Sequence, residues 1–154
     1  MTLIDWTDRD LDLPTVTDAD LDAVEAERKV RLPEDFRAIL KQHAGQVPGP
    51  CVSTVGRAEV PAAELFFARR NTAERHAYNL WHYLEAFDSH LPADMARGLI
   101  PFTSNSGHAI FALDFHSGEP PAVVLVDLEN AEDPDRVLTV IAPSFGQWLG
   151  GLHD

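Results

Sequence analysis

Residues 99–115 read LIPFTSNSGHAIFALDF, two apolar runs around a polar turn. The first run, residues 99–103, is extended in character, and Pro101 marks it as an edge or a strand entry. Ser104-Asn105-Ser106-Gly107 is turn chemistry, because Asn and Gly tolerate positive φ. The second run puts Phe111, Leu113 and Phe115 on one face and Ile110 and Ala112 on the other. A strand apolar on both faces is covered on both, so this run is expected at the centre of a sheet.

C-terminal to this hairpin, residues 122–128 (AVVLVDL) form a second nearly continuous apolar run, again a buried strand. Residues 129–135 (ENAEDPD) are an acidic loop, and residues 136–142 (RVLTVIA) alternate as a last strand. Ser144 then caps a final helix, with Gln147 three residues later in a capping-box arrangement and Phe145, Trp148, Leu149 and Leu152 as the inward stripe.

N-terminal to the hairpin the period changes to that of helices. Residues 71–91 space Ala77, Leu80, Trp81, Leu84, Phe87 and Leu91 at steps of three and four, which predicts the longest helix. Residues 92–97 add a short helical piece ended by Gly98. Residues 61–70 (PAAELFFARR) read as a helical turn or two, and residues 51–55 as a short strand in a Gly/Pro-rich stretch. A first helix covers residues 17–29, capped by Thr17 or Asp18, with Leu21 and Val24 inward and Arg28 contributing its stem. Pro33 opens a second helix with Phe36, Ile39, Leu40 and His43 on one face, and Gly45 is its left-handed cap. Residues 1–15 are an acidic arm carrying Trp6.

Helices first and strands later predict an α+β fold. Its expected form is a largely antiparallel, twisted sheet of about five to six strands, with an N-terminal helix pair and a C-terminal helix packed against it. Residues 1–154 are expected to make one domain. A single cysteine, Cys51, excludes an internal disulfide and a cysteine-based zinc site. With no base or second cysteine beside it in sequence, Cys51 reads as a buried, inert thiol. No apolar run is long enough for a membrane span, and the opening MTLIDWTDRDLDLP lacks the regions of a signal peptide, so the expected location is the cytoplasm.

Twelve basic residues against twenty-five acidic ones give a formal net charge of −13. That balance argues against direct nucleic-acid binding, which needs a positive footprint. It suits solubility, and it equally suits a basic protein partner. No nucleophile elbow, HExxH, Walker loop or dinucleotide fingerprint occurs, so no catalytic residue, cofactor or metal is assigned. One constellation resembles a two-histidine, one-carboxylate metal site: His108, Asp114 and His116. The simpler reading is that Asp114 caps a turn and the histidines are solvated.

Residues 21–46 (LDAVEAERKVRLPEDFRAILKQHAGQ) resemble the opening of the SUKH superfamily, with Val24-Glu25 in the first helix, then Leu32-Pro33-Glu34-Asp35-Phe36, then an apolar helix ending near Gly45. Residues 99–102, 105–107 and 110–114 resemble its strand–turn–strand signature, residues 123–127 its next strand, and residues 142–149 its C-terminal helix. The resemblance spans residues 16–152. The chain departs from the pattern at Lys29-Val30 and Gln46, where glycines are usual, and at Ser106-Gly107-His108, where the turn often reads Gly-Gly-Asp/Asn.

The superfamily includes bacterial toxin-immunity proteins and fungal cell-wall-synthesis regulators. The resemblance therefore implies a non-enzymatic protein that binds and neutralises a cognate toxin domain, a basic nuclease being one such partner. The alternative it leaves open is a regulatory or scaffolding interaction domain without a toxin. For the first, the expected partner-binding residues are Asp127, Glu129, Glu132, Asp133 and Asp135 of the acidic loop. Trp6 is a further candidate, since tryptophans are enriched at interface hot spots.

Overall fold

The computed structural model describes residues 4–8, 14–70, 78–105 and 109–154. Parts of the acidic arm, residues 71–77 (with His76 and Ala77) and the Ser106-Gly107-His108 turn lie outside the described residues. The helix expected over residues 71–91 starts only at Leu80, because Asn79 before it is extended and bridges to Phe67. The chain is α+β, and every paired strand among the described residues is antiparallel to its neighbour.

The hairpin at residues 99–115 organises the sheet. Strand β5 (Leu99–Asn105) pairs with β6 (Ala109–Asp114), β6 with β7 (Ala122–Val126), and β7 with β8 (Leu138–Ala142). The central position expected for the second run is realised: β6 lies between β5 and β7, and Ile110, Phe111, Ala112 and Leu113 are all buried. Phe115 departs from the expected stripe. It starts a 3-10 turn and is half-buried, because Asp114 accepts from the His116 N–H and bends the chain out of the strand. Pro101 sits beside an irregularity in the β5–β6 register, on an edge strand as its missing N–H requires.

Against an expected single sheet of about five to six strands, the described residues form eight, divided into this four-stranded sheet and two short ribbons. Strand β1 (Asp5–Trp6) pairs with β2 (Pro48–Gly49), and β3 (Val52–Val55) pairs with β4 (Ala58–Pro61). The helical turns expected at residues 61–70 are absent. This segment runs extended along the outer edge of β5: the Ala63 and Phe66 N–H groups donate to the Ser104 and Phe102 carbonyls, both at 2.9 Å. Four consecutive buried residues, Leu65, Phe66, Phe67 and Ala68, explain the difference. A surface helix would have turned part of that run to solvent, whereas a strap lying over the sheet edge buries all of it.

Helices α1 (Asp18–Arg28) and α2 (Glu34–His43) form the N-terminal pair, α3 (Leu80–His90) lies against β5, α4 (Ala93–Arg97) follows it, and α5 (Phe145–Gly150) closes the fold. Thr17 caps α1 by accepting from the Asp20 N–H, and the Asp20 carboxylate in turn accepts from the Thr17 N–H. Asn79 caps α3 through the Trp81 N–H, and Ser144 caps α5 through the Gln147 N–H. The core is aromatic where four elements meet. Phe36 of α2, Phe102 of β5 and Phe145 of α5 pack edge-to-face with centroids 5.0–5.8 Å apart, and Trp148 packs against Phe102 and Phe111. The Trp148 indole N–H donates to Ser53 Oγ at 2.9 Å and so ties α5 to β3.

Arg28 does more than lend its stem. Its guanidinium is buried and meets the Asp88 carboxylate through two bonds of 2.8 Å, joining α1 to α3. Among the described residues no helix is long and apolar enough to cross a membrane.

Candidate partner-binding surface

The acidic loop bridges β7 and β8, and two of its carboxylates turn inward to shape it. Asp127 accepts from the Glu129 N–H at 3.0 Å and from the Asn130 side-chain amide at 2.7 Å, starting a 3-10 turn at Leu128–Asn130. Asp133 accepts from the Asp135 N–H at 3.0 Å and pairs with Arg136 at 3.5 Å. The base of the loop is closed by the Asp127 N–H donating to the Val137 carbonyl, and Val137 is fully buried. Glu129, Glu132 and Asp135 are exposed, and no ion pair joins them to a described residue. The loop thus separates two carboxylates that hold its shape from three that face outward.

Beside it, the loop and the end of α3 enclose a shallow groove of about 720 Å³. Ser89 and His90 form its far wall, and Leu128, Asn130 and Ala131 its near one. Some forty positions separate the two walls in sequence, so no local pattern announces the groove.

Trp6 is not brought to this loop. Its ring stacks on His43 of α2, with centroids 4.0 Å apart and planes 7° from parallel. The arm is fastened further by the Thr7 carbonyl and hydroxyl, which accept from the Gln46 side-chain amide and the Val47 N–H. His43 in turn hydrogen-bonds Gln46 at 3.0 Å. The ring of Trp6 is therefore half-buried against the protein's own imidazole.

The metal reading finds no assembled site: among the described residues no cluster of histidine, cysteine and carboxylate side chains could hold an ion. His108 lies outside them. Asp114 and His116 do meet, at 3.0 Å, but the other ring nitrogen of His116 lies 2.7 Å from the Asp94 carbonyl oxygen. Both ring nitrogens are engaged within the fold. Cys51 is half-buried and free.

Two further clusters are structural. A cleft of about 330 Å³ between α1 and α3 is spanned by the protein's own pairs, Arg28 with Asp88 and Arg70 with Glu27, and Arg70 lies 4.2 Å over the Trp81 ring. Between α1 and α2, Arg37 reaches Asp18, Asp22 and Glu25 at 2.9–3.0 Å, and Lys41 joins Asp18 at 3.0 Å. Hydrogen bonds from Lys41 and then Arg37 hold the Asp18 carboxyl below its ordinary value of 3.8. The second carboxylate oxygen of Glu25 accepts from the Leu32 N–H at 2.7 Å and pins the link between the two helices.

No curated protein sequence matches the chain. The sequence profile of the SMI1 / KNR4 family (SUKH-1) matches residues 15–151, from just before the first helix to the end of the last. The matched span contains both helices of the N-terminal pair, with Glu25 and the Leu32-Pro33 link, the four-stranded meander and α5. The chain belongs to the SMI1 / KNR4 family (SUKH-1).

Proposed function

We propose that this protein is an immunity protein, which binds a cognate bacterial toxin domain and neutralises it without catalysing a reaction. The family includes toxin-immunity proteins, and membership implies protein–protein interaction. The observation that carries the reading is the held acidic loop, with Glu129, Glu132 and Asp135 outward on a chain of net charge −13. A toxin that cleaves nucleic acid must carry a basic face for its substrate, and a preformed acidic surface competes for that face. Opposite charge also speeds the encounter, which suits an inhibitor that must outpace damage. In this reading the protein acts in the cytoplasm as one domain with an N-terminal arm.

The test is co-expression with the toxin encoded by the neighbouring gene, together with calorimetry of the purified pair. The expected result is protection of the cells and a one-to-one complex. The absence of both protection and binding would end the proposal, and binding without protection would move the chain to the regulatory, interaction-only class.

A further inference from the structure

We infer that the free edge of the sheet, strand β8, docks one extended basic segment of a partner polypeptide, which adds to the sheet as a further strand. The inference rests on the reading of this protein as a binder of a basic protein, and it specifies the mode of binding. The sheet has two edges, and they are treated differently. The β5 edge is covered by the strap at residues 62–68, whose N–H groups donate to β5 carbonyls. Strand β8 pairs with β7 on its inner side, and among the described residues no backbone hydrogen bond reaches its outer side. An edge strand leaves the N–H and C=O groups of alternate residues unpaired, a template for another strand.

Natural edges are blunted by proline, by charge or by a bulge. The β8 sequence, LTVIA, contains neither proline nor a charged residue. It does contain a bulge, since Ile141 is the extra residue between the Val124–Val140 and Val123–Ala142 pairs. The bulge protects the C-terminal half, where β3 also approaches and leaves a gap of about 150 Å³ lined in part by Ser53, Thr54 and Ile141. Leu138, Thr139 and Val140 remain in regular register against Val126, Leu125 and Val124. Val140 is 67 % exposed, the exposed large hydrophobic side chain among the described residues.

Charge selects the occupant. The loop that feeds β8 presents Glu129, Glu132 and Asp135, and its cation Arg136 is paired with Asp133. A second copy of this chain would bring net charge −13 against −13. A segment alternating apolar residues with Lys or Arg fits instead: its backbone completes the ladder, an apolar side chain covers Val140, and its cations face the loop.

The probe is a ten-residue peptide alternating lysine and valine, compared with one in which each valine is proline. The two carry equal charge, but each proline lacks an N–H and holds φ at about −65°, so one edge of the second peptide has no donors and neither edge fits a regular ladder. The expected result is that the valine peptide slows exchange of the outward-pointing Leu138 and Val140 amides by about tenfold or more, while the proline peptide leaves them unchanged. Val140→Lys, with Thr139→Lys as a second edge-blocking variant, removes the difference between the peptides. Equal binding of both peptides without protection, or protection of the same amides by self-association without peptide, overturns the inference. Because no toxin enters this experiment, its failure leaves the immunity proposal standing, and failure of the co-expression test leaves this one open to its own result.

Discussion

Lys29 ends α1 in the left-handed conformation, at φ 56° and ψ 44°, the one non-glycine residue with positive φ among those described. The family pattern usually places glycine at this link, and the backbone shows why: a Cβ is strained there, while glycine is not. Lys29→Gly is expected to raise stability by about 1 kcal/mol, read as a higher denaturant midpoint at unchanged slope; an unchanged or lower midpoint would contradict the strain. The buried Arg28–Asp88 pair is unequal in the opposite way. The Arg28 side chain is 7 % exposed and that of Asp88 is 52 % exposed. Removing Asp88 strands a buried cation, whereas removing Arg28 leaves a carboxylate that water can solvate. Asp88→Ala is therefore expected to cost about 2–3 kcal/mol and Arg28→Met less than about 1 kcal/mol, because a methionine fills the stem's space and removes a buried Nε that has no partner. Equal losses in thermal melts would show that the cost lies in packing.

At the scale of elements, the junction of α4 with β6 turns on Gly98. A Cβ there would overlap the His116 ring, which is held in place by Asp114 and the Asp94 carbonyl. Gly98→Ala is expected to expel the ring and cost about 1–2 kcal/mol, and His116→Ala in that background should cost almost nothing more. Additive losses in the double mutant would refute the coupling. The α1–α2 contact has a pH signature. Because Asp18 is held below 3.8, its contribution is present above that pH and lost as pH falls through the depressed value. A carboxyl NMR titration should find Asp18 below 3.8, and Arg37→Gln should move it back towards that value. These junctions also mark where sequence reading stops. The 3.6-residue period revealed α1 and α2, and continuous apolar runs revealed β6 and β7, because those patterns reflect burial of one element at a time. Strand β8 is legible too, although its adjacent Thr139 and Val140 are both exposed and do not alternate. Residues 61–70 defeated the same reading: PAAELFFARR satisfies a helix, and only the carbonyls of β5, forty residues away, make it a strap. The two-residue ribbon that docks Trp6 carries no period at all.

Across the whole molecule, the acidic loop was legible as composition but not as geometry. ENAEDPD announces charge; it does not reveal that Asp127 and Asp133 face inward, because that depends on backbone N–H groups in a turn. The division predicts unequal mutants. The triple change Glu129→Lys, Glu132→Lys and Asp135→Lys is expected to slow association with a basic toxin domain by about tenfold at low ionic strength, with the gap closing near about 1 M salt. Asp127→Asn and Asp133→Asn should instead alter the loop's own amide exchange. Stopped-flow measurements across a salt series decide it, and a salt-independent defect in the triple mutant would assign the loss to shape.

The meander carries a consequence for how the chain reaches its native state. Strands β5 to β8 each pair with the next in sequence, so each closure spans a short loop and loses little chain entropy. The strap must instead find β5 across forty residues. The rate-limiting ensemble is therefore expected to hold the C-terminal hairpins first, with the N-terminal helices and the strap condensing onto them. Until they do, both margins of the sheet lie open to other chains; after they do, the described residues cover the β5 margin and leave the β8 margin open.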